Sequence, residues 1–371
     1  MKIGINGRFL SKPYTGIGQY TFNLLNEMAK ANPENEYLVL VAENITQKFP
    51  KNVRVVLLEE KALKMAGAKK TWWEQIQVLE RLKREGVDLA WFPYPANPWS
   101  NDWYSGKIKT VVSVHDCIPW TDKRYRSGVL SKMYHAQSKK AVVKADLVLT
   151  VSGSSLEEIV NICEVPREKI EVIYNDASAA YKKTPSKQFF EEILGRFSLK
   201  EKEYFLYVGG YDERKNVKSL VEAWQNSGTA TLVLAGAKVL GKKLYRSFDV
   251  SSGGGIVKTG FLKEDELNVL YRGALAFVHL SEKEGFNIPI LEASNCGAAM
   301  ILSDIPVHRE VAEKAAIFVK DRNEAVAAMK KMMDPEIQKD YSQMSKRLAR
   351  KYDWEKYAKM AEQFFRALVR S

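Results

Sequence analysis

Two glutamates, Glu284 and Glu292, stand eight positions apart in the string LSEKEGFNIPILEASNCGAAMILSD. A carboxylate pair can do two kinds of work. One is acid and base catalysis of a hydrolysis. The other is holding a polyhydroxyl ligand, since each carboxylate accepts several hydrogen bonds. The flanking residues favour the second. Ala276–Leu280 reads as a strand that ends in a polar loop, Ser281–Gly285. Pro289 suits the first turn of a helix, where its missing N–H would be unpaired anyway, and Gly297 suits the end of that helix. Glu284 then lies in the loop and Glu292 one turn into the helix. Between them the N–H groups of Phe286, Asn287 and Ile288 stand at a helix N-terminus, a natural phosphate site. Two carboxylates flanking a phosphate fit a sugar joined to a nucleoside diphosphate. By itself, however, a pair at this spacing is equally a solvated loop glutamate and one on a helix surface.

Other candidates are scattered along the chain. Arg214 and Lys215 precede a helix in GGYDERKNVKSLVEAW. A lysine is a point charge suited to phosphate, although an exposed basic turn is the commoner fate of such a pair. Gly16 and Gly18 read as a glycine turn before a helix, in the pattern G-x-G-x-x-T that ends at Thr21. That is a poor dinucleotide fingerprint, and Glu43, closing the second strand, keeps a dehydrogenase reading barely open. His115 and Asp116 follow the strand Thr110–Val114, at the end where parallel sheets bind ligands; a capping role serves equally. Cys117, Cys163, Cys296 and the four histidines show no metal-ligand spacing, and no Asp-x-Asp element is present to hold a nucleotide through a metal. Neither a metal nor a cofactor is expected. No Ser/His/Asp or Cys/His arrangement suggests covalent catalysis.

The elements that must position these residues alternate between apolar runs and amphipathic segments. Lys2–Asn6, Gly18–Lys30 and Tyr37–Ala42 open the series, which implies βαβ units and a parallel sheet. The rhythm pauses at Asn175–Gln188, polar and containing Pro185, which reads as a linker. A second series begins at Tyr204–Val208. The expected fold class is α/β, with two doubly wound Rossmann-like domains facing each other across a cleft: residues 1–180, residues 181–352, and an amphipathic helix at 353–371 that packs on either half. The length of 371 residues suits two domains, and 46% hydrophobic content excludes a disordered chain. No apolar run is long enough to cross a bilayer and the N-terminus is unlike a signal peptide, so a cytoplasmic location is expected.

The pattern as a whole is similar to the family 4 glycosyltransferases, which have the GT-B fold. EGFNIPILEASNCG resembles that family's EGFGLPxLEAMACG signature. GGYDERKNVKSLVEAW resembles its phosphate-binding block, and KTGFLKEDELNVLYRGALAFVHLSEKEGF and SDIPVHREVAEKAAIFV fit downstream. TGIGQYTFNLL, VHDCIPW and ADLVLTVSGSS fall at the expected places in the first half. The resemblance implies transfer of a hexose from a nucleoside-diphosphate sugar with retention of configuration and without a metal. It assigns Arg214 and Lys215 to the diphosphate, Glu284 to the transferred sugar, Glu292 to the ribose, and Gly260 and Phe261 to the base. It brings Gly16 and Gly18 towards the donor phosphates and acceptor, and His115 towards the sugar, giving catalytic roles to His115, Glu284 and Lys215. The family usually has glycine where this chain has Asn287, and many members have arginine where Gly210 stands.

The net charge of +12 is patchy, with seven Lys/Arg and no acid in residues 123–144 and seven Lys/Arg against Glu74 and Glu80 in residues 61–84. Such patches suit anionic partners. Asp116, Arg124, Tyr125 and Arg126 are candidates for a phosphate-bearing acceptor, which would be a glycan or a lipid-linked glycan. Trp72, Trp73 and the aromatic stretch WFPYPANPWSNDWY suit the inner face of an anionic plasma membrane; burial of one helix face by Trp72, Trp73, Val78 and Leu79 explains the helix equally well. WEQ followed by this loop resembles mannosyltransferase-like members, which points to a GDP-sugar, with a UDP-sugar the other candidate. A small soluble acceptor, and a nucleotide-sugar-binding protein without turnover, are the alternatives. No nucleic-acid-binding motif is present.

Overall fold

The structure, a computed structural model, describes residues 1–60, 68–125, 128–236 and 254–371. The chain divides into two units. The first comprises Met1–Asn175 with Asp353–Ser371, and the second Asp176–Tyr352.

The first unit holds seven strands: β1 (Lys2–Asn6), β2 (Glu36–Val41), β3 (Val53–Leu57), β4 (Leu89–Phe92), β5 (Lys109–Val114), β6 (Leu147–Thr150) and β7 (Ile170–Val172). All pairings are parallel, in the order β3-β2-β1-β4-β5-β6-β7. Central strands such as LAWF and LVLT are buried throughout, as a sheet covered on both faces requires. The order reverses between β1 and β4, whose register pairs Ile3 with Leu89 and Ile5 with Trp91. That is the switch point, where crossovers leave in opposite directions and open a crevice beyond the carboxyl ends.

The helix Gly16–Ala31 follows β1 and packs against the helix Trp354–Arg370. The latter buries Trp354, Tyr357, Ala358, Ala361 and Phe365, the spacing of one helical face. Phe365 has no exposed surface and its ring lies 6.1 Å from that of Trp91. Burying a side chain of this size stabilises by about 2 to 3 kcal/mol. At the same contact Asn35 donates to the buried Glu362 at 2.5 Å. Gly16 and Gly18 lie inside the first turn of their helix, not ahead of it, because Thr15 is the N-cap and accepts from the Gly18 N–H at 3.1 Å. A Cβ on Gly18 would sit 2.4 Å from the Lys12 carbonyl oxygen and 2.8 Å from that of Phe9, so close packing of backbone demands glycine there.

The aromatic stretch that begins in β4 is largely core: Trp91, Phe92, Tyr94 and Trp103 are buried, as are Trp73, Val78 and Leu79, while Trp72 is exposed. Among the described residues, no helix is long and apolar enough to cross a membrane.

The second unit repeats the topology with six parallel strands: β8 (Tyr204–Val208), β9 (Thr231–Ala235), β10 (Ile256–Gly260), β11 (Ala276–His279), β12 (Met300–Ser303) and β13 (Ala316–Val319). Their order is β10-β9-β8-β11-β12-β13, with the switch point between β8 and β11. The core packs Phe205, Tyr207, Leu232 and Val278 against Leu220 and Trp224 of the helix Val217–Ser227.

The two units divide between Asn175 and Asp176, at the start of the polar stretch Asn175–Gln188; its first half is built into structure, while Lys182, Lys183 and Thr184 are exposed. Asn175, Asp176 and Tyr181 are buried, and a short helix spans Ala179–Lys182. Asn268 donates to the Ala180 and Lys183 carbonyls at 2.7 and 2.8 Å, and Ser178 donates to Glu264 at 2.8 Å. Small alanines let this segment lie close to its neighbours, and polar side chains satisfy its backbone.

Candidate active site

In the second unit, the chain leaves β8 at Gly209–Gly210, makes a short 3-10 turn at Glu213–Lys215, and enters the helix Val217–Ser227 through Asn216. It leaves β11 at His279 and enters the helix Pro289–Cys296, which Gly297 ends in a left-handed conformation. The two loops flank the switch point, and the Glu282 N–H bonds to the Arg214 carbonyl at 2.9 Å to join them.

Here three expected residues meet. Lys215 Nζ lies 2.6 Å from Glu284 Oε1, and Arg214 Nη1 lies 2.8 Å from Glu284 Oε2. The side chains are only 8 to 16% exposed, so this is not the solvent-screened pair of an ordinary surface. Burial alone would raise the Glu284 pKa, but the Lys215 and Arg214 charges outweigh it and hold the carboxyl well below the usual range. Removing one partner from a largely desolvated pair of this kind costs about 3 to 5 kcal/mol. Two cations and one carboxylate at a switch point can exchange their mutual bonds for those of an incoming anion bearing hydroxyl groups.

Glu292 has a different setting. It is buried, accepts the Tyr271 hydroxyl at 2.8 Å, and burial pushes its pKa up to about 7. Two carboxylates that look alike in sequence are therefore driven apart in protonation, one ionised and one poised near neutrality.

Phe286 is buried with its ring 6.1 Å from Tyr352, and Ile288 is buried beside it. Asn287 has φ 74, in the left-handed region. Asparagine is among the few non-glycine residues that tolerate it, so the departure from glycine preserves the backbone shape. Its side chain Nδ2 lies 3.2 Å from His279 Nδ1 and 2.9 Å from His308 Nε2. These two histidines had no part in the sequence-based expectation, because no motif joins positions 279, 287 and 308. Gly210, in place of arginine, offers its carbonyl to the Tyr207 hydroxyl at 2.6 Å. Gly260 ends β10 with φ 69, and Phe261 beside it is 61% exposed.

In the first unit, His115 follows β5 and donates from Nε2 to the Pro93 carbonyl at 2.8 Å, while its ring stands edge-on to Tyr20 at 4.7 Å. Burial lowers its pKa to about 4. The ring is neutral, with its lone pair on Nδ1. Asp116 accepts from the Ile118 N–H at 2.9 Å, and Arg124 grips Asp122 with both ends of its guanidinium. Asp116 thus caps a turn and Arg124 has an internal ion pair. Tyr125 follows in the same 3-10 turn, and Arg126 lies outside the described residues. A second buried polar group escaped the sequence reading: Glu74, on a π-helical turn, accepts the hydroxyls of Tyr94 at 2.7 Å and Tyr134 at 3.0 Å, with Lys70 at 3.6 Å.

Two family models divide the chain. The model described as Glycosyltransferase Family 4 matches residues 14–175, and the one described as Glycosyl transferases group 1 matches residues 190–351. Repeated Rossmann-like units with these matches define a glycosyltransferase of the GT-B fold. The chain belongs to the family 4 glycosyltransferases. It is 25% identical to the O-antigen chain mannosyltransferase B of Escherichia coli over 88% of both chains. It is 32% identical to the O-antigen chain mannosyltransferase RfbU of Salmonella typhimurium over 58% of this chain and 57% of that one. Among solved structures, the Anabaena protein HepE in complex with UDP-glucose superimposes with a TM-score of 0.74 at 14% identity, covering 99% of this chain and 100% of that one.

Proposed function

We propose that this enzyme moves a hexose, mannose, from a nucleoside-diphosphate sugar to a glycan or lipid-linked acceptor in cell-surface polysaccharide synthesis, with retention of the anomeric configuration. The observation that carries the reading is the Arg214–Lys215–Glu284 cluster at the β8/β11 switch point. A diphosphate takes over the two cations, which neutralise charge developing on the leaving group. That is work a divalent metal could otherwise do, so turnover proceeds without one. Glu284, released from its partners, accepts hydroxyls of the sugar. Glu292 accepts the ribose, Gly260 and Phe261 meet the base through their backbone, and the Phe286–Ile288 segment, with Gly16 and Gly18, approaches the phosphates.

In the transfer, the acceptor hydroxyl attacks the anomeric carbon on the face from which the diphosphate departs. The bond from carbon to phosphate oxygen breaks with its electron pair going to phosphate, and a phosphate oxygen takes the acceptor proton. His115, neutral and with its lone pair on Nδ1, contacts the sugar. Placement and charge stabilisation supply the rate.

Mannose and a surface polysaccharide are supported by the mannosyltransferase relatives, and a nucleotide sugar by the UDP-glucose complex of HepE. Mannose favours GDP as the carrier. A site at the cytoplasmic face of the plasma membrane is supported by the helix Val129–Lys144, which leaves Val129, Leu130 and Met133 exposed beside Lys132 and Lys140. Such a face suits anionic lipid.

The test is a thermal-shift series with GDP-, UDP-, ADP- and TDP-sugars, followed by turnover of the sugar that binds. A ligand at 100 times its Kd stabilises by about 2.7 kcal/mol. GDP-mannose is expected to raise the melting point most, and its turnover to survive EDTA. No shift with any of the four would end this reading; binding without turnover in the presence or absence of acceptor would leave a nucleotide-sugar-binding protein.

A further inference from the structure

Behind the Lys215–Glu284 pair lies a chain of buried polar groups whose hydrogen positions can be deduced. It starts at the Ser303 carbonyl, which can only accept. His308 Nδ1 lies 3.0 Å from it and must donate. Ser303 Oγ, 3.1 Å from the same nitrogen, is free to accept because its own proton goes to the Ser281 carbonyl at 2.6 Å. Burial lowers the His308 pKa to about 4, so this ring is neutral. With its proton on Nδ1, His308 Nε2 is an acceptor. Asn287 must therefore turn its NH2 group towards that nitrogen, 2.9 Å away. The second N–H of the same amide then points at His279 Nδ1, 3.2 Å away, which makes that nitrogen an acceptor too. The reversed amide would set its oxygen against the lone pair of His308. His279, neutral because burial and the nearby Lys215 charge oppose protonation, carries its proton on Nε2.

That last donor is buried and has no hydrogen-bond partner among the described residues. Leaving such a donor unpaired is costly, and native interiors rarely do so without a use for it. The His279 ring stacks on Tyr207, with centroids 5.3 Å apart and planes 18° apart, and leans on Phe277 at 5.8 Å. Its Nε2 edge meets the Gly209 turn: a Cβ at Gly209 would lie 3.8 Å from Nε2 and 2.9 Å from the Tyr207 hydroxyl. Gly209 has φ 150 and opens the loop that carries Arg214 and Lys215.

We propose that the Nε2–H of His279 is a further binding donor for an oxygen of the diphosphate, and that Asn287 is the positioning residue that fixes its proton there. The inference rests on the nucleotide-sugar reading of the site. The Gly209 backbone lies against the Nε2 edge of His279, so in this proposal the phosphate reaches Nε2 as Gly209 moves aside, which a residue without a side chain allows. Neutral imidazole adds a directional bond to the charge supplied by Lys215, and Asn287 holds the tautomer while its left-handed backbone leads into the helix Pro289–Cys296.

The test is calorimetric titration of the full chain with GDP, GDP-mannose and inorganic pyrophosphate. His279→Phe, which keeps a planar ring and removes the donor, should weaken all three by roughly ten- to a hundredfold, the worth of a hydrogen bond to a charged group. His279→Gln, which offers an N–H at similar reach, should recover part of the loss. Unchanged GDP binding by folded His279→Phe overturns the assignment, and loss confined to GDP-mannose overturns it in favour of a sugar contact. If the wild type binds no nucleoside diphosphate, the proposed function falls first and this site with it; wild-type binding with an indifferent variant sinks only the site. Should His279→Phe fail to fold, long-range 1H–15N spectra of the wild type decide. They should show His279 as the Nε2–H form, with resonances that move on adding GDP. An Nδ1–H form, or resonances that stay still, refutes the inference. Asn287→Gly keeps the left-handed backbone and should mix the His279 tautomers; an unaltered tautomer removes Asn287 from its positioning role.

Discussion

Replacing Glu292 by glutamine should change how the stability of the protein depends on pH. The carboxyl is buried against Tyr271, and burial carries its pKa from 4.5 to about 7. The sign follows from linkage. Below 4.5 the group is protonated whether the chain is folded or not, and it has no cost. Between 4.5 and about 7 the unfolded chain ionises it while the folded chain keeps the proton, so stability falls as pH rises. Above about 7 the cost is constant. At 1.36 kcal/mol per tenfold change, the full cost is about 3 kcal/mol, of which about 2.5 kcal/mol develops between pH 5 and 8. Glutamine keeps an acceptor for the Tyr271 hydroxyl and cannot ionise. Urea titrations of both proteins at pH 5, 6, 7 and 8 should therefore show the variant gaining on the wild type by about that amount over the series. Ligand binding carries the opposite signature. Ribose hydroxyls need the ionised carboxylate, so GDP affinity of the wild type should rise about tenfold from pH 6 to pH 8, following the ionised fraction. A pH slope in stability that is the same in both proteins would refute the placement of this carboxyl in a desolvated site, and an identical GDP slope would refute its contact with the ribose.

Three other outcomes follow from the geometry. Lys215→Ala and Glu284→Ala should each lower kcat/KM by at least a hundredfold, and the double variant should lose far less than the product, since each single change strands a largely buried charge; strictly multiplicative losses in steady-state kinetics would deny the coupling. Gly18→Ala should destabilise the first unit by about 2 kcal/mol or more, because its Cβ would meet two carbonyl oxygens, and a melting point within a degree of the wild type by circular dichroism would contradict that. Leu130→Glu with Met133→Glu should abolish flotation with anionic vesicles while leaving GDP-mannose hydrolysis intact; equal flotation would move the membrane contact elsewhere.

Periodicity and punctuation exposed much of the fold. The strand YFLYV is a continuous apolar run, and Pro289 and Gly297 bracket a helix at its chemically expected ends. The meeting of Arg214, Lys215 and Glu284 followed from motif likeness and not from spacing, since 69 residues separate the lysine from the carboxylate. Local patterns failed where tertiary contact overrides composition. Asn175–Gln188 is polar enough for a linker and holds the boundary between the units, yet Asn268 and Glu264 supply partners that build its first half into structure. The aromatic stretch from Trp91 to Trp103 looks suited to a surface until the sheet draws it inward. The opposite pKa shifts of Glu284 and Glu292 depend on which neighbours each meets in space, and no one-dimensional pattern carries that. The same holds for His279 and His308, which a single asparagine amide joins.

The helix Trp354–Arg370 belongs to the first unit although every residue of the second precedes it in the chain. During vectorial synthesis, the groove that receives Phe365 and Glu362 waits while 177 residues, from Asp176 to Tyr352, leave the ribosome. The nascent first unit exposes that apolar seam for the whole interval, and Asn35 closes onto Glu362 across a separation of 327 residues. The second unit is complete before the first, so the later part of the message reaches a finished domain sooner than the part translated before it. A truncation before Asp353 removes no residue of the second unit but leaves the first without the helix that covers Tyr20 and Trp91.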